Sequence, residues 1–564
     1  MTRSPIQLRH LQALLIIVAG FWVFSSAFAG DWLWDDGLLI RNNGLIHDPA
    51  GLWKIWFEPG KLVDYLPITA SVEWLEWRIW GATTLGYHLV NVTLHVLGAL
   101  LVWRLFGKFN LPLAWLGGLL FAIHPAVVES VAWISELKNT LSLPFFLLSM
   151  CAWIDYDRLG KRKDYFRALG LFLVAMLCKA TMVMFPVVIL LYAWWRRNRI
   201  GWNDLKASAP FFAISLVLGL ITIEFLHPAM GIKSVPLGGL ASRLALAGLA
   251  IAFYFSKCVL PIGLLPIYPR WAIDSPSLAQ FLPWPILIGA IGWCWKNRTT
   301  WGRHALLGLG FFLINLAPFV GFTQAAYMSF TWVMDHILYI PLIGLIGLVV
   351  AGCGQMDEKL SPSFRPLGIG AMTLVVALLA AESHSYAGIF LNQEKLWTYT
   401  LQGNPGSDVA HNNLGLVDLN SGRLPQAIEQ FEAALRIKPD YAYAHNGLGN
   451  ALFLSGRAAE AIDHYHEALK IDPGYPEAHN GLANALFQSG HLPEARAESE
   501  KAVKFNPNYA EAHCTLGLVM AQQGQIAEAI EQFETALRLN PTDARIGQEL
   551  EALRSAQQNA VEKK

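Results

Sequence analysis

The chain has 564 residues, of which 54% are apolar types and only 15% charged, with 22 tryptophans and 42 basic residues balanced by 42 acidic ones. This lies outside the range of soluble globular domains and fits a protein embedded in a lipid bilayer. A net charge of zero and the lack of any basic, aromatic-interleaved stretch exclude nucleic acid as a partner, and the six cysteines show neither disulfide-framework nor zinc-type spacing.

In chain order, Arg3, Arg9 and His10 precede an apolar run from Leu11 to Phe28. The outline is that of a signal peptide, but the run is long enough to span a bilayer and many spans follow, so the reading is an uncleaved first helix. Further apolar segments fall near 88–103, 113–128, 140–154, 166–178, 181–195, 209–226, 244–262, 284–295, 304–320, 337–353 and 367–382. Basic residues cluster at Arg104/Lys108, Arg158 to Lys163, Arg196 to Arg199 and Lys296 to Arg303, which assigns those loops to the cytoplasm. The acidic segment 30–87 and the turn 124–138 then face outside. Between the last two basic clusters lie three apolar segments where an even number of crossings is required. The stretch 244–262, broken by Lys257, Pro261 and Gly263, is therefore expected to be re-entrant or interfacial. Eleven crossings put the C-terminal part outside and twelve put it in the cytoplasm; the loop charges favour eleven.

Beyond residue 390 the pattern changes. Pro405, Pro439, Pro473, Pro507 and Pro541 recur every 34 residues, with Gly422, Gly456, Gly490, Gly524 and Ala427, Ala461, Ala495, Ala529 in phase. That period is the tetratricopeptide repeat (TPR), a helix pair that buries its apolar face against its neighbours. Four full repeats cover 408–543, a half repeat with Trp397 is expected before them, and 544–558 reads as a capping helix. The fold class is therefore all-α: a polytopic transmembrane domain over 1–390, with about 11–13 helices, followed by a TPR α-solenoid over 391–560. Asn412, Asn446 and Asn480 repeat in phase, and Asn450 and Asn484 lie four residues after two of them on the same helical face. These amides either line a groove that holds the backbone of an extended peptide or serve as polar filler. The adjacent histidines read as packing residues, too far apart to chelate a metal.

Chemistry is sought where charged groups meet the membrane, because such groups are costly unless they pair or function. Asp35 and Asp36, flanked by Trp32 and Trp34, open the outer loop and could serve as general base or metal ligands; a solvated loop start in an aromatic belt is the plainer alternative. A second cluster runs from His124 to Asn139, where Glu129 and Glu136, seven residues apart, are expected to share a helical face beside Lys138. Lys179 interrupts an apolar hairpin at its outer tip, where it either holds a phosphate or snorkels. Asp335 and His336 open a later span, and Tyr65 and His88 border the first loop as pocket residues or interfacial anchors. Walker, dinucleotide, Ser-His-Asp and HExxH patterns are absent, which excludes an ATP-driven pump and soluble-type hydrolases.

Several stretches together resemble the transmembrane and tetratricopeptide-repeat-containing (TMTC) glycosyltransferase-like proteins of the GT-C superfamily, relatives of the protein O-mannosyltransferases. They are Trp34-Asp35-Asp36 with Asn42-Asn43, Gly86-Tyr87-His88-Leu89-Val90-Asn91, the His124 to Asn139 segment, Tyr268-Pro269 after a helix with Tyr254 and Lys257, and Asp335-His336-Ile337-Leu338-Tyr339-Ile340-Pro341. The chain departs at Tyr65-Leu66-Pro67, where members commonly have Tyr-Arg-Pro, and at Asp335-His336-Ile337, where they have Asp-Arg-Tyr. The resemblance implies a transferase moving one sugar from a polyprenyl-phosphate carrier to an acceptor hydroxyl on the outer face. Asp35 or Asp36 is then the base, Lys138, Lys179 and His336 receive the leaving phosphate, and Glu129 and Glu136 orient the acceptor or a divalent cation. Tyr65, His88, His124 and Asp335 are nominated to line the donor or acceptor pocket. On this reading the partners are the lipid-linked sugar, the bilayer, and an acceptor or partner protein in the TPR groove. The alternative function is a non-catalytic membrane scaffold that only anchors a TPR module.

Overall fold

The computed structural model describes residues 5–229, 237–323 and 325–562; Arg3 of the amino-terminal basic cluster lies outside them. The chain divides into two compact units, Met1–Tyr399 and Thr400–Lys564. Every regular element among the described residues is helical.

The first unit starts with α1 (Pro5–Val23) and a long loop carrying α2 (Gly51–Phe57) and α3 (Pro67–Trp80). Then come α4 (Leu85–Lys108), α5 (Ala114–Ile123), the short α6 (Val128–Ala132), α7 (Leu137–Leu159), α8 (Arg162–Cys178), α9 (Phe185–Arg197) and α10 (Trp202–Ala229). The unit continues with α11 (Leu240–Val259), α12 (Pro283–Lys296), α13 (Gly302–Leu316), α14 (Leu342–Lys359) and α15 (Arg365–Ala387). Among the described residues, seven segments, built on α1, α4, α7, α10, α11, α12 and α15, are long and apolar enough to cross a bilayer. Exposed leucines such as Leu216, Leu220, Leu367 and Leu374 face outward on α10 and α15, which in water would be a large apolar surface without a partner. The chain is a multi-pass membrane protein.

Between spans the packing relies on small residues. Gly308 on α13 and Gly344 on α14 face one another, and a Cβ on either would lie 2.4–2.7 Å from the other's carbonyl oxygen, so the two helices meet backbone to backbone. Pro125 breaks the chain between α5 and α6, holding His124 extended (φ −76°, ψ 129°) and bending the pair by 59°.

One end of the unit carries the basic residues that finish α4, α7, α9 and α12. The opposite end gathers the first long loop, the 124–138 turn, Lys179 and the 317–341 segment. Both ends of α11 are tied to that opposite face. Arg243 Nη1 donates to Phe322 O at 3.4 Å near its start, while the Cys258 carbonyl accepts from His124 Nε2 at 3.1 Å near its end. α11 therefore lies along this face, although its length alone would allow a crossing.

In the second unit the first helices of the repeats are Asp408–Asn420, Ala442–Leu454, Pro476–Gln488 and Ala510–Gln522. Their partners are Leu424–Ile437, Ala458–Ile471, Leu492–Phe505 and Ile526–Leu539, and Ala544–Glu562 caps the stack. Gly422, Gly456, Gly490 and Gly524 turn each pair with φ between +72° and +82°, where a side chain is strained. The Phe431 ring fills the space left by Gly415 and Gly447, and the Tyr465 ring that left by Gly449 and Gly481.

Trp397 lies on the helix Gln393–Gly403, one repeat-length before the second helix of the first full repeat; its ring is buried in the first unit, 5.1 Å from that of Trp34. An apolar aromatic one repeat-length upstream has the right spacing for the array, but spacing does not say which surface buries it. Replacing Tyr465 by alanine removes a ring packed on two glycines and a hydroxyl bonded to Asn450 at 2.7 Å. The repeat unit is expected to lose about 3–5 kcal/mol, read as a lowered unfolding midpoint by circular dichroism.

Candidate functional site

The site begins at Trp34, whose φ of +28° is strained for any residue but glycine. Its ring is wedged among those of Trp133 (5.7 Å), Phe330 (5.1 Å) and Trp397 (5.1 Å). The turn sends the next two acids to different places. Asp36 is fully buried: its Oδ2 accepts the Leu33 N–H at 2.8 Å and its Oδ1 the Ser135 N–H at 2.8 Å. It thereby clasps the first loop to the 124–138 turn. Burial raises its pKa to about 7 against the opposing pull of those two amides. Asp35 keeps an exposed side chain with no hydrogen-bond partner among the described residues, and the charges of Lys138, Glu136, His336 and Asp64 act on it. Although open to solvent, it has protein on most sides. That enclosure raises its pKa to about 6, and Lys138 pulls the other way.

Glu129 and Glu136 do not share a helical face. α6 ends at Ala132, Trp133 is extended, and a separate turn covers Ile134–Glu136. Glu129 is buried, with Oε1 2.8 Å from His336 Nδ1 and Oε2 accepting the Asp335 N–H at 3.1 Å. Asp335 accepts from the Tyr268 and Tyr386 hydroxyls at 2.8 and 3.2 Å; burial first, then the Glu129 charge, hold its pKa well above the usual carboxylate range. Glu136 pairs with Lys138 at 3.1 Å and accepts from Asn139 Nδ2, while Lys179 Nζ donates to Asn139 Oδ1. Both glutamates are thus spent on protein partners, and no group of three metal-ligating side chains converges among the described residues. A divalent cation held by Glu129 and Glu136 does not fit this arrangement.

Lys179, His336 and Asn139 line one small polar recess, and Lys138, Asp64 and Glu73 another. Glu73 and Glu76 are buried on α3, which burial pushes up to about 8 and about 9 respectively. In sequence both pass for solvated loop acids; their three-residue spacing within the apolar run Val72–Trp77 was the available signal. Tyr65 and His88 do not join the site. The Tyr65 hydroxyl donates to Trp56 O at 3.1 Å, and His88 is packed against Gly30 with no hydrogen-bond partner on either ring nitrogen. His124 accepts the Ala126 N–H and anchors α11 through Cys258, a positioning role. An apolar trough of about 540 Å³ runs between α11, α12, α13 and α14.

In the repeats, Asn412, Asn446 and Asn480 are buried, and the carbonyl oxygen of each side chain lacks a partner. Asn450 and Asn484 differ: their oxygens accept from Tyr465 OH (2.7 Å) and Thr515 Oγ1 (3.2 Å), so both are engaged in the stack. Each first-helix histidine bonds a preceding proline carbonyl, His411 to Pro405 and His479 to Pro473 among them, so these rings do more than fill a packing slot.

Tetratricopeptide-repeat family models match residues 412–476, 452–513 and 510–543. Over 459 residues the chain is 24% identical to the protein O-mannosyl-transferase F38B6.6 of Caenorhabditis elegans, covering 76% of this chain and 63% of that one. It is 22% identical to Drosophila melanogaster Tmtc3 (78% and 56% covered) and 22% to human TMTC3 (78% and 52%), both named protein O-mannosyl-transferases. The chain thus spans between half and two thirds of the length of these relatives. Among solved structures, the MamA protein matches 27% of this chain and 82% of its own at 24% identity and a TM-score of 0.23. The class is a multi-pass membrane protein with a carboxy-terminal TPR array. The relatives it resembles across the membrane unit and the repeats are O-mannosyl-transferases by name.

Asp36→Asn leaves only one oxygen for two buried amides and is expected to destabilise the membrane unit by about 1–3 kcal/mol. Asp35→Asn should leave the unfolding midpoint in detergent unchanged. Equal losses in the two variants would contradict this division.

Proposed function

We propose that the membrane unit is a GT-C-type glycosyltransferase that moves one hexose, mannose by the names of its relatives, from a polyprenyl-phosphate donor to a protein Ser or Thr hydroxyl. The observation that carries this is Asp35. Asp36, Glu129, Glu136 and Asp335 are spent on backbone amides, tyrosines, His336, Asn139 or Lys138, and Glu73 and Glu76 are buried. Asp35, by contrast, is exposed, without a hydrogen-bond partner among the described residues, and under the influence of Lys138 and His336. As general base it takes the proton of the acceptor hydroxyl while that oxygen attacks the anomeric carbon. The bond from that carbon to the phosphate oxygen breaks, and the electron pair leaves with the lipid phosphate. Lys179 and His336, which line one recess, are suited to receive that charge, as is Lys138, whose charge acts on Asp35. The apolar trough beside α11 suits the polyprenyl chain. A pure scaffold gives no reason for so many buried acids to meet at one face.

The chain leaves the membrane unit at this same face. Ser383 Oγ donates to Ile123 O at 2.6 Å, and Asp31 N–H to Leu391 O at 2.9 Å. This supports repeats lying on the site's side, which the positive-inside assignment makes extracytoplasmic. There the free carbonyls of Asn412, Asn446 and Asn480 are suited to accept backbone N–H groups of an extended acceptor or partner segment.

Asp35→Asn is expected to lower transfer from polyprenyl-phosphate mannose to a Ser/Thr peptide about 10²–10⁴-fold; wild-type rates in the variant remove the assigned base. Because the base acts ionised, the wild-type rate should fall as pH drops through about 6, about tenfold per unit below it. For topology, a cysteine placed at the exposed Gly406 should react with a membrane-impermeant maleimide from the same side as one placed at Asp31. Labelling from opposite faces would leave the repeats unable to serve the site.

A further inference from the structure

At the basic end of the membrane unit, away from Asp35, the ends of α4, α7, α9, α13 and α14 enclose a second cavity of about 280 Å³. The proposed sugar transfer makes no use of it. Its walls are apolar, with Phe106, Met150, Val188 and Phe311 among them, and its few polar groups include Tyr192, Trp195, His304 and Gln355. The Gly308–Gly344 contact that brings α13 and α14 together also lines it.

Three features say what would occupy it. First, Tyr192 is buried in the cavity wall, and its hydroxyl lies beside Asp157 and Arg196, so the wall is polar at this edge. Second, Trp195 Nε1 donates to His304 Nδ1 at 3.1 Å, so a neutral His304 carries its proton on Nε2, which is exposed and unengaged. Third, the surrounding charge is in surplus. Lys108 is paired with Asp155, and Arg196 and Arg197 with Asp157, but Arg104, Arg199, Lys296, Arg298 and Arg303 have no carboxylate partner among the described residues. An apolar cavity between the spans, polar at its edge and at the end of the unit where these cations lie, with Arg303 next in sequence to the lining His304, matches a lipid with a negative headgroup.

We infer that this cavity binds an anionic glycerophospholipid of the leaflet at the basic end, with an acyl chain between α9, α13 and α14 and the phosphate at His304 and Arg303. The lipid acts as a wedge that completes the packing of helix ends otherwise separated by the cavity. Sugar transfer is not needed for this binding, so the inference stands or falls independently of the proposed enzyme.

The test uses the full chain purified in mild detergent and titrated with phosphatidylglycerol or phosphatidylcholine of identical chains, with bound lipid counted by native mass spectrometry. Phosphatidylglycerol should bind at least about tenfold more tightly, a difference of about 1.4 kcal/mol. Ala351→Phe, which plugs the cavity, and the double change Arg303→Gln with His304→Ala should each remove that preference. Leu287→Phe, in the trough beside α11, should preserve it. Ala351→Leu supplies a smaller plug should the Phe variant not elute as a monodisperse species. Equal binding of the two lipids overturns the inference, and so does phosphatidylglycerol binding that survives both the plug and the loss of the Arg303 and His304 side chains.

Discussion

A carboxylate buried in an apolar surround must find donors, and Asp36 finds them in two backbone amides far apart in sequence, those of Leu33 and Ser135. The rest of the site follows from that clasp. It fixes the first loop against the 124–138 turn, and Trp34, wedged among three rings with a strained backbone, sets the direction in which Asp35 leaves the chain. Glu129 does for the later loop what Asp36 does for the first, since its two oxygens hold Asp335 N–H and His336. Hydrogen bonds to charged groups are worth about 1.5–3 kcal/mol each, and leaving one buried partner unmade costs as much again. The loops are therefore held by Asp36 and Glu129, and Asp35 is left exposed beside them.

The same accounting extends inward. Asn91 donates to the carbonyls of Trp133 and Ile134 and accepts from Thr140, while His95 lies between Tyr339 and the Ala122 carbonyl. A broken backbone such as the one at Pro125 is tolerated at membrane depth only where side chains or other protein satisfy the groups it frees. Polar residues on α4 and α7 do that here. The functional face is thus a continuous polar layer braced by spans that pack through glycine and apolar side chains.

The second unit is built by a different rule. Each repeat leaves an apolar face that only its neighbour can cover, so an aromatic ring meets glycines from two successive first helices, and the motif propagates by simple recurrence. Against this economy the unpaired oxygens of Asn412, Asn446 and Asn480 stand out. The same kind of side chain at Asn450 and Asn484 is satisfied within the stack, which separates the two sets of asparagines by their partners.

What the sequence by itself determined is whatever depends on local composition and period: apolar runs of bilayer length, the sidedness of basic loops, and a 34-residue recurrence whose glycines and alanines mark turns and helix contacts. Candidate chemistry was also visible as acids beside tryptophans, because charge next to a membrane has few harmless uses. Tertiary structure alone decided which acid is free. Asp35 and Asp36 are neighbours of one type, and only the position of Ser135 distinguishes them. It likewise gave Trp397 to the membrane unit instead of the repeats, laid α11 along one face, and buried Glu73 and Glu76. In each case the deciding partner lies far away in the chain, and a one-dimensional pattern encodes that a group will be buried or paired without encoding by whom.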